Sequence, residues 1–291
     1  MKPAISRILA PTDLSDSNIP ALHYARLFAD RFSAGLTVMY SDPIVYPVDY
    51  AGVTGGHYID VTPEHQARLR AEVEQHAGPA MEGRPYDIEV TVGQPIAAIL
   101  AAAKERKADL LVMGTHLRQG WRRALLGSVS DGVLHGSRCP VLTVASRDQG
   151  ARATPRVITN VICPVNFTGV ARESLRFASH LARTFEAHLT IVHVLETDEG
   201  ASVESDEERV RRWIAPEVQN AVSYRELVVR GGAAERVLDC ADDLEADLLV
   251  IGAQHKMFRD ATVIGTTTER LIRFASCPVL VVPRQDSPVT L

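Results

Sequence analysis

Two short stretches carry residue types suited to holding a phosphate. The first is Gly114-Thr115-His116-Leu117, then nine residues, then Gly127-Ser128-Val129-Ser130. The second is Gly252-Ala253-Gln254-His255, then nine residues, then Gly265-Thr266-Thr267-Thr268. Glycine lets the backbone approach a ligand closely, and serine or threonine caps the helix that follows. The free N–H groups of a helix start attract anions. Arg118, Arg122 and Arg123 add cations to the first loop. The second loop has Lys256 and Arg259 but also Asp260, which repels phosphate. A third stretch, Pro11-Thr12-Asp13, has Asn166 where Asp13 would recur. A carboxylate accepts hydrogen bonds from ribose hydroxyls, and an amide both accepts and donates. Taken alone, such spacing also describes an ordinary strand–loop–helix turn with solvated arginines.

Other chemistry is poorly represented. There is no Gly-x4-Gly-Lys-Ser/Thr loop, no Gly-x-Gly-x-x-Gly after a strand and no Gly-x-Ser-x-Gly elbow. Four cysteines without a Cys-x-x-Cys pair fit neither a disulfide framework nor a zinc site. Cys139 and Cys277 read as small core residues. His57, His65 and His76 match no metal-ligand spacing. The acidic run from Asp198 to Glu208 reads as a solvated loop and helix start. His116, at the candidate site, is either a ligand contact or a plain surface histidine.

The elements around these residues occur twice. Ile8-Leu9-Ala10-Pro11-Thr12-Asp13-Leu14-Ser15 returns, shifted by 153 positions, as Val161-Ile162-Cys163-Pro164-Val165-Asn166-Phe167-Thr168. Ala108-Asp109-Leu110-Leu111-Val112-Met113-Gly114 returns, shifted by 138, as Ala246-Asp247-Leu248-Leu249-Val250-Ile251-Gly252. The first copy thus carries 15 extra residues, assigned to a long loop over residues 41–60 with Tyr46, Tyr50 and Tyr58. In that copy strands are predicted at 7–10, 36–40, 86–92, 108–113 and 141–144, and helices at 17–32, 63–80, 95–107 and 128–136. Alternating strands and helices imply a parallel, doubly wound sheet. Its ligand crevice lies beyond the carboxyl ends of the adjacent first and fourth strands. The domains are expected at residues 1–147 and 156–291, joined by a polar linker at 146–155. The last strand of each copy is too apolar for an open edge, so the two are expected to cover each other as a pseudo-two-fold pair.

At 291 residues, 46% apolar and 23% charged, the composition is that of a globular chain of two domains. A net charge of −5 argues against a nucleic-acid binder, and no apolar run is long enough to span a membrane. The N-terminus has no apolar signal region, so a cytoplasmic protein is expected.

The Pro-Thr-Asp-x-Ser turn, the Gly-Thr-His turn, the Gly-Ser nine residues on and the closing Cys-Pro-Val-Leu together resemble the universal stress protein family. Both halves carry the match. The resemblance implies two tandem α/β domains, each a five-stranded, Rossmann-like parallel sheet of strand order 3-2-1-4-5. Many members bind ATP through Gly-x2-Gly-x9-Gly-Ser/Thr, and others bind no nucleotide. Here the second glycine is Leu117 in one copy and His255 in the other. Carried over, Asp13 and Val38 would hold the ribose and adenine end, with Pro11, Thr12, Met113, Gly114, His116 and Arg118 around the ligand. Gly127, Ser128, Val129 and Ser130 would meet the phosphates, Ser130 offering a hydroxyl. Gly252, Gly265 and Thr266 are the second-copy counterparts. The implied cofactor is ATP, with or without Mg2+. The first copy is expected to bind it and the second to bind weakly or not at all. With no phosphate-loop lysine, hydrolysis is expected to be slow or absent. The implied role is a stress-response regulator. The alternatives are a nucleotide-free interaction protein and a weak ATP hydrolase on the same fold. A homodimer of chains and a protein partner are left open.

Overall fold

The structure, a computed structural model, describes residues 5–43, 62–116, 127–146, 157–196, 203–218, 223–255 and 262–284. Most of the 41–60 loop, Leu117, Arg118, Trp121, Arg122 and Arg123, and all but the first residue of the linker lie outside these. In the first half β1 (Arg7–Thr12), β2 (Gly35–Asp42), β3 (Asp87–Val92), β4 (Leu110–His116) and β5 (Val141–Ser146) alternate with α1 (Ile19–Phe32), α2 (Pro63–Met81), α3 (Pro95–Glu105) and α4 (Ser128–Gly136). In the second, β6 (Asn160–Val165), β7 (His188–Leu195), β8 (Tyr224–Arg230), β9 (Leu248–His255) and β11 (Val279–Pro283) alternate with α5 (Gly169–Phe185), α6 (Val203–Val218), α7 (Ala233–Asp243) and α8 (Thr266–Phe274). A two-residue β10 (Thr262–Val263) pairs with β9. Among the described residues no helix is long and apolar enough to cross a membrane.

The strands run β3-β2-β1-β4-β5 and then β11-β9-β6-β7-β8. Each half therefore has the order 3-2-1-4-5, and the halves join through their last strands. That junction is antiparallel, with Leu280 opposite Leu142 and Val281 opposite Val141. The Thr143 hydroxyl adds a 3.0 Å bond to the carbonyl of Val279. Both apolar edges are thus paired, as expected of strands too apolar for an open edge.

Helices cover both faces of the sheet. One core cluster takes residues from α1, α2, α5 and α6, the other from α3, α4, α7 and α8, so each core runs through both halves. Across the junction the Phe28 ring on α1 meets Phe185 on α5 at 5.2 Å between centroids. The run Leu110-Leu111-Val112-Met113 is buried on both faces, which explains its unbroken apolar character. The repeated Ala-Asp-Leu-Leu-Val has a further cause. Asp109 Oδ2 accepts from Ser6 N, Ser6 Oγ and Arg7 N at 2.7–2.9 Å. Asp247 takes Thr159 and Asn160 in the same way. One carboxylate before each fourth strand pins the start of the first.

β1 continues through Pro11, where a stop was expected. In this strand Arg7, Leu9 and Pro11 turn their backbone groups toward β4, as the Asp109 N–H to Arg7 carbonyl bond shows. The β1–β4 register ends at Leu9 opposite Leu111. Pro11 therefore lacks an N–H only where no partner strand remains. The cysteines are free thiols, and burial pushes Cys163 up to about 12. Cys139 is also raised by burial, consistent with packing rather than redox roles.

Candidate functional site

The early end of the β1–β4 register opens the crevice. β1 stays paired with β2 out to Thr12, while β4 leans onto β5 out to His116. Between them lies a cavity of about 700 Å³. Its walls are the β1 end (Pro11, Thr12, Asp13), the β2 end (Met39, Tyr40, Ser41), the β4 end (Met113, Gly114) and the first turn of α4 from Gly127 to Ser130. Pro95 and Ile99 from the start of α3, Pro43 and Asn18 complete it.

The turn after β1 is held by its own side chains. Thr12 Oγ1 accepts from Leu14 N at 3.1 Å, and Asp13 Oδ1 accepts from Ser15 N and Ser15 Oγ at 3.0 and 2.7 Å. Leu14 sits at φ 60 and its counterpart Phe167 at the same value. A left-handed non-glycine residue in both copies marks a turn whose shape the surroundings impose. Asp13 remains exposed at the cavity mouth. Nearby on α2, burial pushes His76 down against the pull of Asp16 and Asp13. It therefore favours the neutral form and does not cancel the Asp13 charge.

Gly114 and Asn18 form the floor. A Cβ on Gly114 would stand 3.0 Å from Asn18 Nδ2. Asn18 is 5% exposed, and its Oδ1 has no hydrogen-bond partner. A buried amide oxygen without a donor is costly, so this atom suits a ligand donor or a water. At the opposite wall Gly127 caps α4 with no side-chain hydrogen bond to the helix start. The exposed Ser128 and the N–H groups of that first turn face the cavity mouth as an anion-attracting end.

Nine of the residues singled out in the sequence lie around this one cavity: Pro11, Thr12, Asp13, Met113, Gly114, Gly127, Ser128, Val129 and Ser130. Two expectations are corrected, and a third residue is free of any constraint from the fold. Val38 is fully buried in the core on the α1–α2 side, and Met39, Tyr40 and Ser41 reach the cavity instead. The Ser130 hydroxyl donates to the Gly114 carbonyl at 3.0 Å, so its proton ties α4 to β4 and is not offered to a phosphate. Gly127 has φ −59 and room for a Cβ, whose nearest neighbour would be Ser130 Oγ at 3.9 Å, so the fold itself does not demand glycine there. Arg118 and the His116 side chain fall outside the described residues. Asn18, Met39, Tyr40, Ser41, Pro43, Pro95 and Ile99 escaped the sequence reading. Placing Thr12 beside Tyr40 in a parallel register would have found the β2 residues.

The second half builds the same turn differently. A Cβ on Gly252 would lie 2.5 Å from Val170 Cγ1 and 2.9 Å from the Val170 carbonyl oxygen. Helix α5 thus presses its backbone against β9, where the first half places the Asn18 side chain. Ala171 takes the place of Asn18 and has no polar group to offer. Gly265 caps α8 and Thr266 follows it, both exposed. At the ends of β6 and β7, His193 Nδ1 bonds the Val165 carbonyl at 2.9 Å and its ring lies 4.4 Å from Phe167. Trp213 packs edge-on to Phe167 at 5.7 Å, with Arg172 4.6 Å from the Trp213 ring centre. Glu217 receives Arg172 and Arg176. Burial pushes this carboxyl up, but the two guanidinium groups outweigh it and hold it below its ordinary value. A carboxyl held low stabilises the fold above the ordinary carboxylate range and loses that contribution as pH falls through it. Glu217→Gln is therefore expected to lower stability at neutral pH by roughly 1–2 kcal/mol, between the exposed and buried pair values. It should also narrow the gap between neutral and acid stability, read by thermal melts at the two pH values.

Comparison with known proteins places this architecture. The universal stress protein family model matches residues 4–145 and again 158–283. The chain belongs to the universal stress protein family. A universal stress protein of Methanocaldococcus jannaschii is 31% identical over 140 residues, covering 47% of this chain and 81% of that protein. A universal stress protein structure from Archaeoglobus fulgidus covers 96% of this chain and 98% of its own, with a TM-score of 0.72 at 24% identity, which speaks to the fold. A shorter Archaeoglobus fulgidus universal stress protein, solved in complex with dAMP, covers 44% of this chain and 99% of its own at 20% identity and a TM-score of 0.36.

Proposed function

We propose that this universal stress protein is an adenine-nucleotide-binding regulator that takes one ATP in the first-half crevice. The observation that carries the reading is the cavity of about 700 Å³ at the β1–β4 divergence, with Asp13 at one wall and the uncapped start of α4 at the other. A carboxylate for hydroxyl donors and a helix N-terminus for phosphate stand across a cavity whose lining includes the apolar Met39, Ile99 and Met113. The volume lies in the range that small-ligand sites occupy, about 300–1,000 Å³. The orphaned Asn18 Oδ1 supplies an acceptor for a ligand hydroxyl or amine. Among the described residues Asp13 is the one carboxylate lining the cavity, so a Mg2+ ion accompanying the nucleotide would depend chiefly on the phosphates. The sequence has no phosphate-loop lysine to stabilise a transferring phosphoryl group, which favours binding over turnover.

The second-half site is read as weak or silent. Val170 crowds Gly252, Ala171 replaces Asn18, and Asn166 replaces Asp13. Binding in the cytoplasm would let nucleotide occupancy report on the cell's energy state to a partner surface around the crevice. The test is to denature the purified chain and assay the supernatant for adenine nucleotide. Released nucleotide at up to one per chain supports the reading. No release, together with no binding when ATP is added back to native protein, favours the nucleotide-free alternative.

A further inference from the structure

The repeat makes the two halves comparable residue by residue, and at one place they are opposites. At the end of the first half away from the crevice, where α3 and α4 finish, lies a hollow of about 420 Å³. Lys104, Lys107 and Arg138 surround it, with Leu100 and Gly136 inside. The three cations are exposed, and none of the ion pairs among the described residues includes them. Gly136 leaves the hollow open. A Cβ there would stand 2.4 Å from Leu100 Cδ1, so Leu100 lies directly on the glycine.

Shifted by 138 positions, Lys104 becomes Asp242, Lys107 becomes Glu245, Arg138 becomes Ser276 and Gly136 becomes Phe274. Glu105 and Asp243 are acidic in both. Asp242 and Glu245 are exposed, and Phe274 is 50% exposed. Where the first half has a hollow ringed by cations, the second has a half-exposed aromatic ring at the place of Gly136 and carboxylates at the places of Lys104 and Lys107. The fold does not require either version, since each half builds the same helices with the opposite charge.

We propose that chains associate head to tail, the Phe274 patch of one copy seating on the Lys104–Lys107–Arg138 hollow of the next. An aromatic anchor entering a hollow, with charge pairs at its rim, is a common plan for a protein contact. The two patches lie on the same face of the sheet, since α3, α4, α7 and α8 share one core cluster. They point in opposite directions, because β5 and β11 are antiparallel. A patch therefore does not reach its complement within its own chain. A contact between two chains leaves one hollow and one knob open, so growth is heterologous and continues. The rim is exposed and charged, so salt weakens it. This contact does not depend on the nucleotide reading.

The experiment is sedimentation of the full chain over a range of concentrations, at low and high salt. The expected result is an average mass that rises with concentration at low salt without stopping at two chains, and that falls to a single chain at high salt. The double variants Lys104→Glu/Lys107→Glu and Asp242→Lys/Glu245→Lys should each lose this growth. All four positions are exposed, and circular dichroism checks that the variants are folded. Mixing the two variants in equal amounts should restore growth, because one then carries acidic patches at both ends and the other basic patches. A single-chain mass under every condition, a closed dimer, or a mixture that fails to associate overturns the proposal. So does binding of inorganic phosphate at the three cations without any growth, which would make the hollow a small-anion site.

Discussion

Gly114→Val is expected to abolish nucleotide binding, lowering affinity at least about 100-fold, equivalent to about 2.7 kcal/mol, while leaving the chain folded. Gly114 is on β4, beside Val144 of β5, and has no positive φ, so valine meets no backbone penalty. What it meets is Asn18. The first carbon alone would stand 3.0 Å from Nδ2, and two further methyl groups would enter the gap between β1 and β4. The displaced amide would lose its place on the cavity floor, and the cavity would shrink at the point where the strands part. Overpacking of this kind costs roughly 1–3 kcal/mol, set against a total stability of about 5–15 kcal/mol for a typical domain. Calorimetric titration reads the affinity and a thermal melt reads the fold. Gly127→Ala is the companion variant. Among the described residues its Cβ would meet only Ser130 Oγ, at an unstrained 3.9 Å, so any affinity it loses reports contact with the ligand. Unchanged ATP affinity in Gly114→Val would move the site elsewhere.

Leu280→Asp is expected to cost more than any surface change, because it attacks the seam between the halves. Leu280 is fully buried and faces the equally buried Leu142 across the antiparallel pair. A carboxylate there has no cation beside it in the strand register and must be buried unpaired or protonated. The penalty is on the order of 3–5 kcal/mol. For a chain of this size that lowers Tm by about 6–15 °C. The shape of the transition is the sharper readout. Each half has helices on both faces of its own sheet, and the cores join where β5 meets β11 and where Phe28 of α1 meets Phe185 of α5 beside that seam. Scanning calorimetry of the variant should resolve two transitions where the native chain gives one. A single transition at an unchanged temperature would contradict the seam.

The seam shows what could be reasoned from residues alone. Val141-Leu142-Thr143-Val144 and Val279-Leu280-Val281-Val282 are too apolar to face water, and that chemistry led to the pairing that forms. The parallel sheet followed from alternating elements, its full strand order from the family resemblance, and the crevice from the rule that ligands bind where winding reverses. The misses are of another kind. Val38 and Ser41 differ by three residues on one strand, and only the register of β2 against β1 says which of them clears the sheet edge. The Ser130 hydroxyl is equally able to donate to a phosphate or to a carbonyl, and the approach of α4 to Gly114 decides between them. Val170 reads as an ordinary helix residue until its carbonyl is placed against Gly252. Asn18 carries no motif at all. It matters because Pro11 ends the β1–β4 ladder and leaves an opening that an amide can enter. Periodicity specifies elements and their order, but contacts of a few ångströms between distant segments depend on how the elements settle.

We expect the two copies of one fold to carry one nucleotide site. Titration calorimetry of ATP into the whole chain, freed of bound nucleotide, tests it directly. The expected result is a single binding event with one ATP per chain. Two equivalent sites, or no binding at all, would contradict it.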